Sequence, residues 1–69
     1  MNDEQFEDFR KCLPIYLQKD IKALEDAIKN NNKTIDCEWC ELYGSINSAL
    51  HNDNAITEEE AKYLRDKYL

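Results

Sequence analysis

Apolar residues recur along this chain at helical spacing. Phe6, Phe9 and Leu13 open a stripe that continues in phase through Leu17, Ile21, Leu24 and Ile28. Recurrence at i, i+3, i+4 and i+7 predicts an amphipathic helix, because those positions return to one face. Pro14 interrupts the run. It has no N–H to donate and it crowds the preceding turn, so the helix is expected to kink or split near Cys12. The unbroken phase on both sides argues against a true loop.

A second stripe, Trp39, Leu42, Tyr43, Ile46, Ala49 and Leu50, falls on one face of a helix predicted over residues 36–50. The other side carries Cys37, Gly44 and Ser48, with Cys40 at the border and Glu41 its long charged residue. A glycine inside a helix costs about 1 kcal/mol against alanine. Small residues also let a second backbone approach, so this helix reads as central and touched on both sides. Trp39 and Tyr43 read as core, and Tyr63 and Tyr68 as the half-exposed aromatics. A third stripe, Ala61, Leu64 and Tyr68, marks the last helix.

The punctuation agrees. Asn2 or Asp3 is placed to cap the first helix, Thr34 or Asp36 the central one. Asn30, Asn31 and Asn32 should end the second segment, since asparagine tolerates the left-handed conformation. His51, Asn52, Asp53 and Asn54 form a turn cluster. Thr57 with Glu60 spells a capping box, and Ile56 can pack on Ala61 as a hydrophobic staple. The expectation is one all-α domain over residues 1–69, a small three-helix bundle with its first helix kinked or split at Pro14.

Composition changes the picture in three ways. A chain of 69 residues holds one small core, which rarely supplies more than about 3–5 kcal/mol. A homodimer packed along Gly44 is therefore one state to test. Fifteen acids against nine bases give a formal charge of −6. That disfavours direct contact with phosphate backbones, and it suits either solubility or a basic protein partner. No apolar run is long enough to cross a bilayer, and MNDEQFED is not a signal peptide, so a cytoplasmic protein is expected.

Little in the sequence carries chemistry. Cys37 and Cys40 could join Cys12 and His51 in a zinc set, but these partners are singletons on other elements, and the CxxC lies within a helical stripe. No strand precedes it as a redox motif would require. The expected role of the cysteines is packing between helices. Residues 52–60 echo half of an EF-hand loop, yet Ala49 and His51 fall where its first carboxylates are needed. No nucleophile faces His51 and no glycine-rich phosphate loop exists, so neither a cofactor nor an enzyme is expected.

The segments DCEWCELYGSIN and ITEEEAKYLRDKYL, joined by a short polar turn, resemble small acidic helical proteins encoded by phages and mobile elements of Gram-positive bacteria. The resemblance covers the C-terminal half and rests on aromatic stripe, glycine, turn and capping box. It implies a protein that binds and blocks a host protein, including nucleic-acid-handling and defence enzymes. The expected function is thus a non-enzymatic inhibitor or adaptor. Its candidate partner-binding residues are Asp36, Glu38, Glu41, Glu58, Glu59, Tyr63 and Tyr68, facing a partner with a basic groove. A self-associating assembly bundle and a small metal-binding regulator are the alternatives.

Overall fold

The computed structural model describes residues 2–69, all helices and connections without a strand. Four helices follow in order: α1 Asp3–Lys11, α2 Ile15–Lys29, α3 Ile35–Asn47 and α4 Glu58–Tyr68, with one π-helical turn, Ser48–Asn52, closing α3. Pro14 therefore splits the first segment rather than kinking it, and the bundle has four helices instead of three. The reason is local. Pro14 stands at the N-cap of α2 with φ −55° and ψ 147°, and the Cys12 and Leu13 amides reach back only three residues, to Phe9 and Arg10. Gln18 Nε2 donates to the freed Leu13 carbonyl at 2.7 Å.

The ends follow their sequence signals with one exception. Asn2 and Gln5 form a capping box on α1, and Thr57 and Glu60 form the expected one on α4, at 2.8 and 3.1 Å. Asn31 takes φ 50° after α2. There Asn32 N–H reaches the Ala27 carbonyl and Asn31 N–H that of Ile28, a Schellman closure. The exception is α3. Thr34 makes no side-chain cap and Asp36 lies inside the first turn, because the closure of α2 delivers Thr34 with ψ near 5° instead of the extended value a cap needs.

The core is one cluster: Phe6 and Leu13, then Leu17, Ile21 and Leu24, then Leu42, Ile46 and Ala49, then Ile56, Ala61 and Leu64. α2 and α3 form its main layer, and Ser45 Oγ on α3 donates to the Asp20 carboxylate on α2. Glu25 ties three helices, accepting from Arg10 of α1 at 2.6 Å and from the Tyr68 hydroxyl of α4 at 2.8 Å. Its neighbours form an aromatic cluster. Phe6 lies 5.9 Å from Tyr63 and 6.3 Å from Tyr68, centroid to centroid, and Lys67 Nζ sits 4.5 Å over the Phe6 ring. In α2, Ala27 is buried and Ile28 exposed. Helical phase sets a direction, but burial needs a neighbour, and in the last turn Ala27 is covered and Ile28 is not.

Candidate functional site

The apolar face of α3 is wider than the surface its neighbours can cover. Leu42, Ile46 and Ala49, spaced i, i+4, i+7, are fully buried against α2 and α4. Trp39 and Tyr43 flank that line. They are 39% and 46% exposed, which corrects their reading as core residues. Four positions apart, they lie on each other, with ring centroids 5.7 Å apart and planes within 7°. The rings are near-parallel and offset, an arrangement aromatic pairs favour, and together they present an aromatic platform on the surface.

Asp36 lies one turn before Trp39 on the same flank. Glu38 and Glu41 fall on the other side of the buried line, and Glu41 lines a shallow groove of about 360 Å³ with Tyr16, Asp20, Cys40, Gly44, Ser45 and Ser48. α3 carries Asp36, Glu38 and Glu41 and no lysine or arginine. Glu58 and Glu59 occupy the first turn of α4, so four of the five candidate carboxylates lie in the first turns of two helices, and Glu41 lies further along α3. Acids in a first turn are already favoured by the helix dipole.

Tyr63 and Tyr68 are part-buried and packed on the core. They hold α4 against α1 through the Phe6 cluster. Burial, then the hydrogen bond to the Glu25 carboxylate, raises the Tyr68 hydroxyl above its ordinary range. Trp39 and Tyr43 thus take the place the sequence assigned to this pair. At the other end of the bundle the Tyr16 hydroxyl donates to Asp53, and that bond, with smaller contributions from burial and the carboxylate charge, pushes it up to about 12.

The Gly44 side of α3 is open: a Cβ built there would meet nothing within 4 Å. No second helix uses the lane, contrary to the expectation of contact on both sides. Cys12, Cys37 and Cys40 are exposed free thiols, so none packs between helices; α2 and α4 cover the opposite face of α3, and Cys12 lies on the outside of the Pro14 break. Among the described residues, no three histidine, cysteine or acidic side chains converge as a metal site, and no helix is long and apolar enough to cross a membrane.

Two surface features escaped the pattern reading. One is the Trp39–Tyr43 platform, whose signal was the breadth of the α3 stripe. The other is Ile15, 65% exposed and out of phase with Leu17 and Ile21, in a notch with Arg10, Gln18, Lys19 and Lys22. Comparison of the chain with protein-family models, curated proteins and solved structures gave no match in any of the three.

Proposed function

We propose that the chain is a non-enzymatic protein-binding module, an inhibitor or adaptor of the kind its resemblance to mobile-element proteins implies. It meets its partner through the Trp39–Tyr43 platform, with Asp36 beside it and Glu38 and Glu41 further round α3. The observation that carries this reading is the exposed stack itself. A small chain gains more by burying tryptophan than any other side chain of its surface, and aromatic residues dominate the well-packed centres of protein interfaces. The carboxylates on α3, with no base on that helix, favour a basic partner surface, including a groove that otherwise holds nucleic acid.

Affinity capture from a host lysate tests the proposal, with wild type compared against Trp39→Ala and Tyr43→Ala and against charge reversal of Asp36, Glu38 and Glu41. A captured protein lost by the aromatic variants, weakened by charge reversal, and displaced by salt or nucleic acid fits the reading. A partner that all these variants retain rules out the platform.

A further inference from the structure

We infer that the chain associates head to tail with copies of itself, the Ile15 notch of one copy receiving the Trp39–Tyr43 platform of the next. The notch measures about 290 Å³, against the roughly 150 Å³ that suffices for a benzene ring in a protein cavity. Ile15, largely exposed, is its one apolar side chain, and Arg10, Lys19 and Lys22 give it a basic border. Lys19 and Lys22 are exposed and form no ion pair among the described residues, whereas Arg10 is held by Glu25 and, more loosely, by Glu7. Asp26 lies one turn beyond Lys22, and Asp20 is turned toward Ser45 on the α3 side.

This is a basic patch around an exposed isoleucine on a chain of net charge −6, and the same chain carries its complement: two exposed aromatic rings beside Asp36, on a helix whose charged residues are all acids. Apolar meets apolar and opposite charges meet across the border. The notch lies on the side of α2 away from α3, so a molecule cannot fill its own notch. Two different patches that pair in this way make a heterologous contact, which propagates into rings or open chains rather than closing as a symmetric dimer. The platform holds either a heterologous partner or a second copy, so the two compete for it; self-association stands without such a partner and is tested on the purified chain alone.

Sedimentation over a wide concentration range is the first measurement. The weight-average mass should rise with concentration at about 0.1 M salt, where screening extends roughly 10 Å, and fall back near 1 M, where it extends about 3 Å. The second is a mixing experiment. Lys19→Glu with Lys22→Glu disables the notch, and Asp36→Asn with Trp39→Ala disables the platform, so each double variant alone should stay monomeric. Mixed, they retain one intact patch each and should form a 1:1 pair that grows no further. A wild type monomeric at every concentration overturns the inference, as does association that survives both sets of substitutions or a mixture that stays monomeric.

Discussion

The Tyr16 hydroxyl donates to the Asp53 carboxylate at 2.5 Å, across 37 residues of chain. This bond fastens the first turn of α2 to the turn that closes α3. It stands at one end of the bundle, while the Glu25 carboxylate, shared by Arg10 and Tyr68, stitches α1, α2 and α4 together elsewhere.

Both tyrosines make the fold sensitive to alkali. A phenol that gives a hydrogen bond to a carboxylate must keep its proton, so its folded pKa lies above its unfolded one, from 10.0 to about 12 for Tyr16. The contribution is fully present below the unfolded value and is lost as pH rises through the folded one. Stability should therefore fall between about pH 10 and 12, with Tyr68 adding to the loss in the same direction. Urea unfolding at several pH values checks this, and Tyr16→Phe and Tyr68→Phe should each flatten the decline. A stability that holds level through that window would contradict it.

Truncation should cost far more at Leu42 than at Trp39. Leu42 is fully buried, and Leu42→Ala is expected to cost about 2–5 kcal/mol. Trp39 is flanking and exposed, so Trp39→Ala should cost about 1 kcal/mol or less, chiefly the stack with Tyr43. Chemical denaturation of the two variants separates them. A Trp39→Ala loss as large as that of Leu42→Ala would return the ring to the core.

The helices were largely legible because their signals are local. Asn2, the Asn30–Asn32 run, Thr57 with Glu60, and Pro14 each act within a few residues of themselves, and each lies where the structure uses it. What was not legible depended on neighbours. The α3 stripe gave the direction of Leu42, Ile46, Trp39 and Tyr43 alike, but only the width of the surface offered by α2 and α4 decides which are covered. The same holds for Ile28 against Ala27, and for the Gly44 lane, where small residues invited a contact that no element makes. Thr34 failed as a cap because the turn before it fixed its backbone. Of the candidate site, the acidic character of α3 was readable in composition, and the platform beside it was not.

The capping box on α4 is worth measuring because Thr57 and Glu60 satisfy two otherwise open amides in reciprocal bonds of 2.8 and 3.1 Å. Thr57→Ala should lose about 1 kcal/mol. In a domain of this size that lowers the melting temperature by roughly 4–8 °C. Thr57→Ser or Thr57→Asp, which keep an acceptor oxygen, should retain most of the stability. Equal losses in all three variants would mean the bonds contribute nothing.

Metal removal is expected to leave the fold unchanged. The core accounts for every helix, and the three thiols lie on the surface apart from any converging set of ligands among the described residues. Thermal melts with and without a strong chelator should superimpose. Stoichiometric zinc in the purified protein, with a melting temperature that drops on chelation, would contradict this.

Gly44→Ala should stabilise the domain. Gly44 sits inside α3 with an ordinary negative φ, so alanine enters without backbone strain. An added methyl finds open space, so it displaces nothing. Glycine at such a position frees the unfolded chain and weakens the helix, and its replacement by alanine gains roughly 0.5–1 kcal/mol. The expected result is a higher denaturation midpoint with an unchanged denaturant slope. The same variant separates two modes of self-association. A dimer packed backbone to backbone along Gly44 would clash with the new methyl and dissociate, whereas the contact between notch and platform does not involve Gly44 and should persist at wild-type strength. A destabilised Gly44→Ala chain, or one that loses its self-association, would show that a second backbone occupies this lane in solution.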